Sequence, residues 1–99
     1  MDKIQQGDVI LRSIPQIPAE VQPCGNILAE GEVTGHAHRV TGMAEVGVLN
    51  GVRFVCVTGP AAQVVHEEHG TIDLPIGAWE VGRVREYDHF AEDARVVRD

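Results

Sequence analysis

Residues 44–58 read AEVGVLNGVRFVCVT, and this stretch decides the fold class. Two apolar runs, Ala44–Leu49 and Val52–Thr58, flank the dipeptide Asn50-Gly51. Asparagine and glycine both tolerate the positive φ that a type I′ turn requires, so the dipeptide predicts a tight β-hairpin. The centre of the chain is therefore predicted to be two antiparallel strands joined by a short turn.

The rest of the chain also consists of short apolar segments between turn residues. Eleven glycines and five prolines divide the 99 residues into short segments rich in Val and Ile. No window of about 12 residues has a clean 3.6-residue apolar period, which disfavours helices. We predict an extended loop or edge segment at Pro15–Gly25, and further strands at Asp8–Ile14, Ile27–Glu30, Glu32–Thr41, Ala62–His66, Thr71–Leu74 and Ala78–Tyr87.

The number of strands predicts the architecture. About eight short strands in one small domain favour a closed β-barrel or a β-sandwich, because closure removes exposed strand edges. We expect one all-β domain over residues 1–99, since the chain is too short for two. Its polar tail, residues 88–99, is compatible with a short helix around Phe90–Arg95 or with a last edge strand.

Charge and composition exclude several classes of function. The net charge is −7 and Lys3 is the one lysine, so we expect neither nucleic acid nor an anionic membrane surface as a partner. No apolar run approaches about 18 residues, and the N-terminal residues lack an apolar signal segment, so we expect a cytoplasmic protein. Cys24 and Cys56 do not form a disulfide framework or a CxxC metal motif.

Four of the five histidines fall in two tight groups. The first group is His36-Ala37-His38. Side chains alternate along a strand, so these two imidazoles are expected to project from one face, about 6 to 7 Å apart along the strand. That spacing suits two adjacent ligands on one metal ion. Ala37 is expected to face the other way and to pack.

The second group is His66-Glu67-Glu68-His69, followed by Gly70. It is not the HExxH helix motif, because the histidines are three positions apart and no helical period surrounds them. A turn or bulge at the two glutamates would bring both imidazoles to one side, and Gly70 makes such a turn plausible. Otherwise one of the two histidines joins the site, with a glutamate as an oxygen ligand.

We expect the two histidine pairs, about thirty positions apart, to meet around one divalent metal ion. Neutral imidazoles suit Zn, Ni, Cu, Fe or Mn, and a glutamate ligand shifts the preference towards Fe or Mn. Glu67 or Glu68 is then a candidate general base, or a partner that orients an imidazole. The alternatives are a titrating histidine patch and a solvated acidic turn. His89, in the polar tail, is expected to be exposed and without a role.

A further pattern lies in the last predicted strand. Its alternating positions carry Trp79, Val81, Arg83, Arg85 and Tyr87. Such a face can hold a carboxylate or a partner surface. The commoner interpretation of the pattern is the outer face of an antiparallel sheet.

Two resemblances rest on these motifs. The run GEVTGHAH, residues 31–38, resembles the first cupin motif, and GTIDLPIG, residues 70–77, is similar to the second with its PxG turn. Cupins are small metal-binding β-barrels, and the resemblance implies that His36 and His38 are a ligand pair. It carries over no other ligand, since position 80 is Glu80, not the histidine of the second motif.

The wider pattern of QGDV, GEVTGHAH, HEEH and RVREY resembles a group of small uncharacterised bacterial and phage-associated proteins, and implies no activity.

Two functions are therefore expected. The first is a His-rich metal site in a small β-barrel that acts on a small molecule, with hydrolytic or redox chemistry. The second is a non-catalytic, homo-oligomeric binding or assembly module of phage or mobile-element origin, whose strand edges pair between subunits. The residues alone do not decide whether the protein is an enzyme.

Overall fold

The computed structural model describes residues 3–30 and 35–84, and the regular elements within them are β-strands. The strands are β1 (Lys3–Gln6), β2 (Val9–Ile14), β3 (Gln22–Pro23), β4 (Ile27–Glu30), β5 (Ala37–Thr41), β6 (Ala44–Leu49), β7 (Val52–Val57), β8 (Gln63–Val65), β9 (Ile72–Asp73) and β10 (Gly77–Arg83). The expectation of an all-β chain is confirmed.

The strands form two antiparallel sheets. The larger sheet has the order β1-β2-β10-β7-β6-β3, and the smaller has the order β4-β5-β8-β9. The chain leaves the larger sheet after β3, forms β4 and β5, returns for β6 and β7, and then completes the smaller sheet before β10. The closed barrel and the cupin-like arrangement stay predictions.

The predicted central hairpin is present. β6 and β7 pair in register from Ala44 opposite Val57 to Leu49 opposite Val52. Asn50 and Gly51 connect them with φ of 52° and 80°, the left-handed region that this turn requires. The local turn chemistry was therefore sufficient to place this hairpin.

Other strand boundaries differ from the prediction. β1 was not predicted, because Lys3–Gln6 carries three polar residues and one isoleucine and has no apolar alternation. β5 begins at Ala37, so His36 precedes the strand instead of lying on it. The proline-rich segment was expected to be a loop or an edge, and its Gln22–Pro23 portion does lie at an edge of the larger sheet.

The core lies between the two sheets. Buried residues of the larger sheet, such as Leu11 and Val55, form one cluster with buried residues of the smaller sheet, such as Val40 and Val64. Each fully buried aliphatic side chain contributes about 1.5–3 kcal/mol by leaving water. One shared apolar cluster therefore holds the sheets together.

The alternating face of β10 is part of this core. Trp79 is 2 % exposed and belongs to the buried cluster, and Val81 packs against it. The interpretation of this face as the outer face of the sheet is therefore wrong. The indole N–H of Trp79 donates a 3.0 Å hydrogen bond to the Pro75 carbonyl, which allows the ring to be buried.

Parts of the predictions lie outside the described residues. They are the start of the strand predicted at Glu32–Thr41, the end of the strand at Ala78–Tyr87, and the tail at 88–99 with His89. Within residues 3–30 and 35–84, no helix is long and apolar enough to cross a bilayer. The cytoplasmic location stays a prediction.

Candidate metal centre

The structure brings the rings of His36, His38, His66 and His69 into one cluster. The ring of His66 is central: its centroid lies 5.7 Å from that of His36, 4.3 Å from that of His38 and 4.6 Å from that of His69. The rings of His38 and His69 are also stacked, with centroids 5.8 Å apart. Histidines from two distant segments therefore share one site.

Two elements of the smaller sheet position the rings. His36 immediately precedes β5 and His38 is its second residue, and His66 and His69 lie in the loop between β8 and β9. β5 and β8 pair antiparallel, with Arg39 opposite Val65, so the start of β5 lies beside the end of β8. The bend over residues 67–69 puts both histidines of the loop on the same side, as the HxxH spacing requires.

His38 is the buried member of the cluster, 2 % exposed, and Gln6 orients its ring. The amide nitrogen of Gln6 donates to the carbonyls of Val64 and Gly70, at 2.9 and 2.8 Å. Its amide oxygen must then face Nδ1 of His38, 2.8 Å away, as an acceptor. His38 therefore carries a proton on Nδ1, and Nε2 holds the free lone pair when the ring is neutral.

The other side of His38 faces a charge pair. Its Nε2 lies 3.5 Å from a carboxylate oxygen of Asp8, and the second oxygen of Asp8 accepts a 2.9 Å bond from Arg83. Burial lowers the pKa of His38 below its ordinary value, and the neighbouring His66 lowers it further, against the opposing effect of Asp8. The ring is therefore held in the neutral form.

Glu67 is fixed by two hydrogen bonds. Oε1 accepts from the backbone N–H of Ala37 at 3.0 Å, and Oε2 accepts from Arg39 at 2.9 Å. The Ala37 N–H, then Arg39 and the backbone N–H of Glu67 itself lower the pKa of this carboxyl to about 2. Such a carboxylate is a weak base at neutral pH, but it is always ionised and always oriented, as a metal ligand should be.

Glu68 has a different environment. Its side chain is 67 % exposed, and one carboxylate oxygen lies 3.7 Å from Nδ1 of His36. Its backbone N–H donates a 3.0 Å bond to Nδ1 of His66. The neutral His66 ring therefore keeps its proton on Nε2, which is the opposite tautomer to His38.

The groups that converge closely enough for one ion are those of His36, His66 and Glu67. One ligand atom from each lies within 4.8 Å of the other two. His38 and His69 border this set through their ring contacts with His66. The predicted histidines are thus all at the site, and Glu67, predicted as a base or an oxygen ligand, supplies the third convergent group.

The turn between β1 and β2 closes one side of the cluster. Gly7 has φ of 59°, and a Cβ added to it would lie 2.5 Å from Nε2 of His69. A side chain at this position would therefore displace the ring. Glycine satisfies the turn and the close approach together.

Sequence reasoning missed the supporting residues Gln6 and Asp8, which flank Gly7. Gln6 ends β1, which was not predicted, and Asp8 lies in the turn before β2. Both are about thirty positions from His38 in the chain. The run QGDV was visible, but nothing local says that its polar side chains turn towards the histidines.

A family model described as "Domain of unknown function (DUF8820)" matches residues 5–84, which include both histidine pairs and the β1–β2 turn. No curated protein and no solved structure matches the chain.

Proposed function

Because the chain belongs to the DUF8820 family, a domain of unknown function, we propose its activity from the geometry of the histidine cluster: it binds a divalent transition metal ion. The primary ligands are His36, His66 and Glu67. His38 and His69 lie beside this ligand set, through their ring contacts with His66.

One observation carries this proposal: imidazoles from residues 36–38 and 66–69 pack ring against ring, beside an ionised glutamate with both oxygens oriented. Two neutral imidazoles and one carboxylate suit Zn, Fe(II) or Mn. The hydrogen bonds from Ala37 and Arg39 leave lone pairs on both oxygens of Glu67, so the carboxylate can hold its orientation and still bind an ion.

Loading the site requires a change at His66. Its Nδ1 accepts from the Glu68 backbone, and its Nε2 carries the proton in the neutral ring. Coordination through Nδ1 therefore displaces the Glu68 hydrogen bond, and coordination through Nε2 requires the ring proton to move to Nδ1, which displaces the same bond. Metal affinity is expected to rise with pH for a separate reason, because an imidazole binds an ion only in its neutral form.

Calorimetric titration of untagged, metal-free protein with Zn²⁺ and Mn²⁺ tests the proposal. We expect saturable binding of one ion per chain. His36→Ala and Glu67→Gln should each weaken binding by about tenfold or more, since each removes a direct ligand. Glu68→Gln is the matched control, because it changes the adjacent carboxylate without removing a primary ligand.

A chain that takes up neither ion, or that binds with unchanged affinity in all three variants, would contradict the metal centre. Equal losses in Glu67→Gln and Glu68→Gln would indicate a general effect of negative charge. The proposed ligand set would then be wrong even if metal binds.

Three protein ligands leave coordination positions open, and we extend the proposal to a small-molecule substrate. A metal bound there would polarise an oxygen atom of that molecule. Glu68 is the better placed of the two predicted bases, since it is exposed, while the lowered pKa of Glu67 makes that carboxylate a weak base. Water-proton relaxation of Mn²⁺-loaded protein measures the open positions. A relaxation rate as low as that of a Mn²⁺ ion without open positions would contradict the proposal of a small-molecule substrate.

A second candidate function is assembly between copies of the chain. β1 and β4 each lie at the edge of a sheet in the described part of the chain, and such edges can pair with another copy. Light scattering with and without chelator separates the two proposals. A monomer under both conditions contradicts assembly and leaves the metal proposal untouched.

A further inference from the structure

A cleft separate from the histidine cluster opens between β4 and the inner face of the larger sheet. Its volume is about 400 Å³. The apolar side chains of Leu28, Ala29 and Val81 line it, together with the guanidinium-bearing residues Arg53 and Arg83. This volume lies within the range of pockets that bind small molecules.

The two arginines lie on the core side of their strands. Side chains alternate on β7, so Arg53 shares a face with the buried Val55 and Val57. On β10, Arg83 shares a face with Val81 and the buried Trp79. Trp79 lies opposite Val55, and continuing this register places Arg53 opposite Val81. The arginines therefore meet at one end of the space between the sheets.

Both guanidinium groups reach across to the backbone of β4. Arg53 donates a 2.6 Å hydrogen bond to the Ile27 carbonyl, and Arg83 donates a 2.7 Å bond to the Glu30 carbonyl. These bonds hold the planar groups at the cleft, and the bond from Arg53 uses one of the five N–H donors of its guanidinium. The groups are thus oriented before any ligand arrives.

Arg53 differs from the other arginines of the described segments in whether a carboxylate pairs with it. Arg12, Arg39 and Arg83 each pair with a carboxylate, at 3.1, 2.9 and 2.9 Å. Within residues 3–30 and 35–84, no ion pair joins Arg53 to a carboxylate. The Arg53 guanidinium is therefore a positive charge in the cleft lining that no ion pair in the described segments balances, although the chain has a net charge of −7.

We propose that this cleft binds a small organic carboxylate, with the carboxylate on the Arg53 guanidinium and an apolar body against Leu28 and Val81. The planar guanidinium matches a carboxylate in a two-bond geometry. The apolar walls favour an anion with a hydrocarbon portion over a simple inorganic anion. The site does not depend on the metal centre.

Titration of the ¹⁵N-labelled full chain with hexanoate tests this proposal, with the Gly51 and Gly82 amides as reporters. Saturable shifts at these amides are expected. Arg53→Met should weaken hexanoate binding at least tenfold, and Arg53→Lys should weaken it less, because it keeps the charge and loses the planar fork. Arg12→Met is the matched control and should bind as the wild type does. The amide spectrum of each variant shows directly whether it is folded.

Inorganic phosphate is the competing probe. Weaker binding of phosphate than of hexanoate supports the carboxylate assignment, whereas equal or tighter binding of phosphate overturns it. Absence of saturable shifts with hexanoate, or equal weakening in folded Arg53→Met and Arg12→Met, overturns the site itself.

Discussion

Gln6 is the side chain that connects the histidine cluster to the strands around it. It is 2 % exposed, and its amide bonds two backbone carbonyls and the His38 ring. A buried amide with this many bonds stabilises one arrangement of its neighbours, because each lost bond leaves a desolvated polar group.

Gln6→Leu is therefore expected to lower the free energy of unfolding by about 2–4 kcal/mol, since it leaves buried carbonyls and an imidazole N–H without a partner. Gln5→Leu is the matched control, because the exposed Gln5 amide bonds the Gly7 carbonyl and no other group of residues 3–30 and 35–84. Urea unfolding of both variants measures the difference. Similar, small losses in the two would contradict the role of Gln6.

His38 makes stability depend on pH. Its pKa is lowered from 6.5 in the folded chain, chiefly by burial. Below pH 6.5 the unfolded chain takes up a proton that the folded chain resists. The contribution of His38 to the free energy of unfolding is thus complete above its ordinary pKa. It is lost as the pH falls through the lowered pKa of the folded chain.

In the presence of chelator, the free energy of unfolding is expected to fall from pH 7.5 to 5.5, with His38 contributing up to about 1.4 kcal/mol per pH unit. His38→Gln should make this dependence shallower. Urea unfolding across this range provides the test, and a slope unchanged in His38→Gln would refute the assignment.

At the scale of elements, two turns place the functional residues. The β1–β2 turn presses Gly7 against His69, and the β6–β7 turn at Asn50-Gly51 stands free. Both glycines have positive φ, at 59° and 80°. The two turns therefore share a backbone requirement and differ in what surrounds them.

Gly7→Ala and Gly51→Ala separate these effects. Each places alanine in the left-handed region, at about 1–2 kcal/mol. Only at position 7 would the new Cβ meet the His69 ring; at position 51 it would meet nothing within 4 Å. Gly7→Ala should accordingly shift the His69 ring resonances, with an added loss of about 1 kcal/mol or less, because the exposed ring can move aside. Equal losses with unmoved resonances would show that the contact carries no weight.

At the scale of the whole molecule, the two sheets share a core. Trp79, the only tryptophan, lies within it, and Val40 and Val64 contribute from the smaller sheet. Small domains with a single core usually unfold in one cooperative step. The histidine cluster lies where β5 begins and β8 ends, and these are the two inner strands of the smaller sheet, so its geometry depends on the same core.

Thermal unfolding is therefore expected to show one transition, with the same midpoint by Trp79 fluorescence, far-ultraviolet circular dichroism and the histidine ring resonances. The fluorescence should also be blue-shifted in the folded state, since Trp79 is 2 % exposed. A lower midpoint temperature for the histidine resonances than for the other two probes would show that the site unfolds independently of the core.

Turn residues and short apolar runs were sufficient to predict the parts of the fold that depend on residues adjacent in the chain. The hairpin at Asn50-Gly51, the β4 strand at Ile27–Glu30 and the all-β class follow from turn residues and short apolar runs. Strand β1 could not be predicted, because it owes its place to pairing with β2, with Ile4 opposite Leu11. The inward face of β10 was misread because Arg83 is polar, although Trp79 and Val81 beside it are buried.

By itself, the sequence determined the short antiparallel strands, the chain's negative charge and the two histidine groups, because each depends on residues adjacent in the chain. Only the tertiary structure decided that these rings meet at one site, that Gln6 and Asp8 face the buried His38 ring, and that Arg53 is oriented at a cleft. Those contacts join residues 26 to 32 positions apart. Their distances depend on strand pairing and sheet packing, which no local pattern encodes.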